Sequence, residues 1–166
     1  MSHITKTTLI AAIALAASAQ PLATQAPTPR QPAAGAAPKV GACSLLSREE
    51  VKRHLPWMSA LDGMAEEEEP IGINGSSCNY PSVTIQVLSF TRKTMDDVRS
   101  MSNTEAVSGV GEEAYLRNRN NEYAELFVKV GERLLTVQAN LDNNFDALKP
   151  GTLALGRALV AKLRRG

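Results

Sequence analysis

The sequence predicts an α+β domain: an antiparallel sheet of about four to six strands, helices packed on one face, and one disulfide. Three observations carry that prediction. Short apolar runs of period two alternate with clusters of Gly, Pro and Asn, which is the pattern of strands and turns. Segments with apolar residues three and four apart, each opened by a capping residue, are interleaved with them. Two cysteines, Cys43 and Cys78, follow an export-type leader and have only each other to pair with.

The leader comes first. Met1 to Lys6 is short and weakly basic, Thr7 to Ala17 is apolar, and Ala17-Ser18-Ala19 fits the small-x-small cleavage rule. Residues 1–19 therefore read as a secretory signal peptide, too short for a transmembrane helix of about 20 apolar residues. Residues 20–42 are rich in Pro, Ala, Gln and Thr without apolar period, and read as a disordered spacer. Residues 43–166 remain as the single folded domain. Val40-Gly41-Ala42-Cys43 loosely resembles the lipidation signal of bacterial lipoproteins. That signal must directly follow the apolar run, and here Pro21, Arg30 and Lys39 intervene, so a membrane tether is not expected.

Export places the cysteines in an oxidising compartment, periplasmic or extracellular, where one intramolecular bond is the default. The Cys43–Cys78 spacing is not the C-x-x-C of a redox pair, and a zinc site lacks ligands, since His54 is the one histidine after the leader.

Within the domain, Ser47 and Glu50 have the capping-box spacing, Val51 and Leu55 form one apolar stripe, and Pro56 stops the helix. Residues 57–77 read as irregular, with Glu66–Glu69 as a solvated charged loop. Cys78–Tyr80 and Val83–Phe90 read as strand segments around Pro81-Ser82, with Val83, Ile85 and Val87 on one face. Thr94 is placed as the cap of a short helix whose buried stripe is Met95, Val98 and Met101. A glycine-punctuated turn at Val107–Gly111 leads into a strand. Arg117–Asn121 is a turn, Glu122 to Val130 a strand, Gly131-Glu132 a two-residue hairpin connection, and Arg133–Ala139 the returning strand. After Pro150-Gly151, Thr152 to Arg165 reads as an amphipathic helix with Leu155, Leu159 and Leu163 inward.

Charge and motif exclude several functions. From Cys43 onward there are 15 Lys and Arg against 17 Asp and Glu, a balance that lacks the basic excess of a nucleic-acid or anionic-lipid binder. Gly109-x-Gly111 lacks the third glycine and the following helix of a dinucleotide fingerprint. Neither Glu66–Glu69 nor Asp142–Asp146 has the alternating acids of a calcium loop. No catalytic, cofactor or metal residues are assigned. The candidate partner surface is Trp57 and Met58 with Glu66, Glu67, Glu68 and Glu69, all inside the disulfide ring; Trp is favoured in interface hot spots.

Several motifs recur together in one order: Cys-Ser-Leu-Leu-Ser-Arg-Glu-Glu-Val at 43–51, Cys-Asn-Tyr at 78–80, Val-Gly-Glu-Glu-Ala-Tyr at 110–115, Val-Gly-Glu-Arg at 130–133, and a Leu/Ala-rich C-terminal helix. Residues 43–165 thereby resemble the small exported bacterial domains of unknown function, many of them lipoproteins, whose fold is similar to PsbP-like and kinase-extracellular-sensor domains. The resemblance implies the disulfide, a sheet of four to six strands and a non-enzymatic role, and it brings no functional residues to carry over. The expectation is an exported domain that binds a protein or small ligand of the cell envelope as sensor, accessory or inhibitor. An envelope-maintenance structural role is the alternative, and a hydrolase a more distant one.

Overall fold

The computed structural model describes residues 40–61, 66–72, 74–141 and 144–165, which lie within one compact unit. The expected signal peptide at 1–19 and the expected spacer up to Lys39 fall outside the described residues. The chain runs α1 (Arg48–His54), a 3-10 segment (Pro56–Leu61), β1 (Glu67–Ile71), β2 (Gly75–Tyr80), β3 (Val83–Ser89), α2 (Arg92–Ser100), β4 (Thr104–Ala106), β5 (Glu113–Arg119), β6 (Tyr123–Val130), β7 (Arg133–Asn140) and α3 (Phe145–Leu163). The strands form one sheet in the order β1-β2-β3-β7-β6-β5-β4, antiparallel throughout. The fold is α+β as expected, with seven strands where four to six were expected. The two strands not placed from the sequence are edge strands that it hides: β1 is acidic, and β4 has three residues.

The local signals of the sequence operate as read. Ser47 caps α1, and the Glu50 side chain returns to the Ser47 backbone N–H, completing a capping box. The β6–β7 hairpin pairs Val130 with Arg133 across Gly131-Glu132, with Gly131 at φ +57°, where a residue without Cβ is favoured. Cys43 and Cys78 are bonded, their Cα atoms 4.9 Å apart.

The main core lies between the sheet and the layer of α1 and α3. Val83, Ile85 and Val87 of β3, Leu126 and Val128 of β6, and Leu135 and Val137 of β7 face Leu148, Leu155, Leu159 and Leu163 of α3 and Val51 and Leu55 of α1. Such a continuous apolar layer is the dominant favourable term in folding. The other helix packs elsewhere. Met95 and Val98 of α2 join Tyr115 and Leu134 in a separate cluster, and alternation places Tyr115 and Leu134 on the face opposite Leu116 and Leu135. The helices thus lie on both faces, with α2 alone on the second.

Several boundaries differ from the sequence reading, four of them for a tertiary reason. Ala42, assigned to the spacer, is fully buried and donates its N–H to Ser76 Oγ at 2.9 Å, so residues 40–42 pack with the domain. Thr91 rather than Thr94 caps α2, and the helix ends before Met101, which is exposed instead of buried. Glu67–Ile71 is a strand because it pairs with the disulfide-anchored β2, in spite of its poor strand propensity. Finally, α3 begins at Phe145 on an Asn144 cap and runs through Pro150. The proline sits in the second turn on the exposed side, so the carbonyl it leaves unbonded can meet water. A Cβ on Gly151 would stand 2.6 Å from the His54 carbonyl oxygen; only glycine lets α3 cross α1 so closely.

Candidate functional site

The structure separates the residues proposed as a partner surface. Met58 is 2% exposed and belongs to the main core, so it cannot contact a partner. Its 3-10 segment turns the side chain inward because Leu55 and Met58 are joined by a tight backbone turn, Met58 N–H to Leu55 O at 3.0 Å. Trp57 is half-buried and packs against the same core. Glu66, Glu67, Glu68 and Glu69 are exposed along the edge strand. Two of them are engaged: Glu66 pairs with Arg48 at 3.3 Å, and Glu68 accepts a hydrogen bond from Ser76 Oγ at 2.7 Å. Charged side chains and Pro70 on this edge oppose pairing with another strand. Next to them, Tyr80 buries its hydroxyl and donates to Leu46 O at 3.0 Å. Burial, reinforced by the nearby Glu66 charge, pushes its phenol up to about 12.

A different surface carries more unspent chemistry. The second face of the sheet is covered by α2 over only part of its area, and the rest is polar. Following the register from edge to edge, Thr104, Arg117, Glu125, Gln138, Thr84, Asn79 and Glu67 form one row across all seven strands. Directly paired residues share a face, so these side chains form a continuous ladder. The next row contains Tyr115, Phe127, Thr136, Gln86 and Ser77. In β3, β6 and β7 strand alternation explains why these residues are polar or aromatic while their neighbours in sequence are buried aliphatics.

Glu125 anchors the row. It is 8% exposed and is held by Arg117 at 3.1 Å and Arg119 at 3.3 Å, while Arg119 stacks on Tyr123 with its guanidinium carbon 5.1 Å from the ring centre. One buried carboxylate flanked by two guanidinium groups leaves a local positive excess. Beside it, Arg117 Nε and its cross-strand neighbour Thr104 Oγ1 are buried without a hydrogen-bond partner. On the other side of Glu125 lies a hollow of about 210 Å³, walled by Thr94 of α2 and lined by Gln86, Leu88, Phe127, Leu134, Thr136 and Gln138. Thr136 Oγ1 donates to Gln86 Oε1 at 3.1 Å, which leaves the Gln86 amide hydrogens free to donate. The hollow is smaller than the roughly 300–1,000 Å³ typical of drug-sized ligands, so it suits one ring or one side chain of a longer ligand.

The sequence reading missed this site. By local signals Arg117 and Arg119 belong to a turn cluster, and Glu125 is one outward position of a strand. The available signal was the polar set of alternating positions in β5, β6 and β7, but which strands are neighbours is not written in any one segment. No family model, curated protein or solved structure matches the chain. No described helix is long and apolar enough to cross a membrane.

Proposed function

We propose that this is an exported, non-catalytic binding domain of the bacterial cell envelope, periplasmic or secreted, that holds a polar ligand or a partner's polar side chains on the uncovered face of its sheet. The observation that carries the reading is the hollow beside Glu125, where amide, hydroxyl and aromatic groups converge with hydrogen-bonding capacity unspent. The Cys43–Cys78 bond fits an oxidising compartment, and the order of motifs from Cys43 to the C-terminal helix, similar to small exported bacterial domains, points the same way. The rigid sheet under the hollow supports binding at low entropic cost, because its backbone is already ordered.

Amide-resolved NMR of the exported protein, titrated with a panel of amino acids, monosaccharides and short peptides, tests the proposal. A saturable ligand should shift Gln86, Thr136 and Gln138 together, and the Gln86→Ala/Gln138→Ala variant should lose that response with its fold intact. Saturable binding that maps to other surfaces, or is unchanged in the double variant, would overturn it.

A further inference from the structure

A second hollow, of about 310 Å³, lies between the Val107–Glu112 loop and the last turns of α3, lined by Gly109, Gly111, Arg157, Val160, Ala161 and Arg164. The loop holds Gly109-x-Gly111, which is no dinucleotide motif, and the structure gives its glycines another use. Gly109 and Gly111 both have positive φ, +74° and +65°, while Val110 between them does not. Where left-handed and right-handed residues alternate, successive backbone N–H groups turn toward one side and make a concavity for an anion; the sign of φ alternates in this way from Gly109 to Gly111. Val110 is buried in the main core, and the loop's backbone hydrogen bonds lie at its ends. Val107 N–H donates to Ala114 O and Glu112 N–H to Lys129 O, each at 3.0 Å. Between them the N–H groups of Ser108, Gly109, Val110 and Gly111 have no acceptor among the described residues. Close packing holds the loop against its surroundings: a Cβ on Gly111 would collide with Val128, and one on Gly156 would collide with Leu126 and touch Val110.

Across the hollow, Arg157 and Arg164 are two helical turns apart and so share one face of α3, with the small Ala161 between them. From Phe145 to Arg165 the chain carries Lys149, Arg157, Lys162, Arg164 and Arg165 against one acid, Asp146. The two lysines are neutralised, Lys149 by Glu105 at 2.6 Å and Lys162 by Glu50 at 3.2 Å. Arg157 and Arg164 are exposed and have no ion pair among the described residues. Two opposing charges stand nearby. The Glu112 carboxylate lines the adjacent hollow with Arg164, but it is bound by Lys129 Nζ and by the Gly131 N–H at 2.7 Å. The carbonyl end of α3 is the other, and Arg164 sits over it.

We propose that this hollow is an oxyanion site for a phosphate group, cradled by the N–H groups of the Gly109–Gly111 loop and clasped by Arg157 and Arg164. Arginine suits the role because its planar fork gives paired hydrogen bonds to phosphate oxygens. The phosphate is either a free phosphate or phosphomonoester, or the phosphodiester of a lipid headgroup.

The test uses the whole exported protein at constant ionic strength. Inorganic phosphate should shift the amides of Ser108 to Gly111 saturably, and Arg157→Gln/Arg164→Gln should weaken binding by about tenfold or more, the scale of losing charge-assisted hydrogen bonds. Arg53→Gln, an exposed arginine outside the hollow, should leave binding unchanged. In a second arm the protein is floated with phosphatidylglycerol or phosphatidylcholine vesicles. Saturation by inorganic phosphate that depends on Arg157 and Arg164 supports the site and assigns a free phosphate. Without such saturation, flotation with phosphatidylglycerol alone that is lost in R157Q/R164Q supports the site and assigns the lipid headgroup. Absence of both, or binding that persists in the double variant, overturns the proposal. Gly109→Ala provides a check through the loop, since it places a Cβ in open space at a backbone angle that L-residues avoid, and it should weaken binding while α3 is untouched.

Discussion

Removing the disulfide by Cys43→Ala/Cys78→Ala should leave a folded but much less stable domain. The bond joins residues 35 apart, and the ring it closes contains α1, the 3-10 segment and β1. In the chain-entropy account, opening a ring of that size releases about 3.8 kcal/mol of restraint on the unfolded chain. The native side retains other anchors for the same segment. Ala42, Leu45, Leu46, Val51, Leu55 and Met58 are buried in the main core, Ala42 N–H reaches Ser76 Oγ, and Tyr80 Oη reaches Leu46 O. The variant should therefore unfold in one cooperative step. With a urea dependence of about 2 kcal/mol per molar, its midpoint should fall by roughly 2 M. The slope should rise slightly, because an unlinked unfolded chain exposes more surface. Urea unfolding followed by circular dichroism, with oxidised and dithiothreitol-reduced wild type alongside, measures all three. A loss below about 1 kcal/mol at unchanged slope would refute the reasoning, since it would mean that the ring does not restrain the unfolded state.

Three further outcomes are expected. Met58→Ala should cost about 2–5 kcal/mol in the same assay, the range for a buried large-to-small change; a stability equal to wild type would return Met58 to the surface. The Ser47 backbone N–H, and then Lys162, hold the Glu50 carboxyl below the usual carboxylate range. A depressed folded value means that its contribution is present above the unfolded value of about 4.3 and is lost as pH falls through the folded one. Glu50→Gln should accordingly flatten the acid limb of the stability profile as pH falls below the unfolded value, and an unchanged limb would show that Glu50 does not drive it. Tyr80 is shifted the other way, to about 12, so stability should be lost as pH rises from about 10, where the unfolded phenol ionises, toward that value. Tyr80→Phe should abolish that alkaline loss, read by urea midpoints at pH 8 and 11, while costing about 1–3 kcal/mol at neutral pH for the unpaired Leu46 carbonyl.

Much of the candidate site was out of reach of the sequence, for a definable reason. Thr104, Arg117, Glu125, Gln138 and Thr84 come from five strands, and their alignment depends on a strand order in which β3 lies beside β7 rather than β4. A sequence shows which positions alternate outward; it does not show which strands are neighbours. The same holds for the phosphate hollow, where a loop at 107–112 and a helix some 50 residues later meet because Gly111 and Gly156 permit close approach.

By itself the sequence determined the α+β class, the capping box at Ser47 and Glu50, the Gly131 hairpin and the Cys43–Cys78 pairing. Each rests on residues whose physical chemistry is local or, for the cysteines, has one solution. The tertiary structure alone decided that Glu67–Ile71 is a strand, that α3 runs through Pro150, and that α2 crosses to the second face of the sheet. These outcomes oppose or exceed local preference and hold because long-range partners supply the energy: β2 pairing for the acidic strand, the Gly151–His54 crossing for the helix, and Tyr115 with Leu134 for α2.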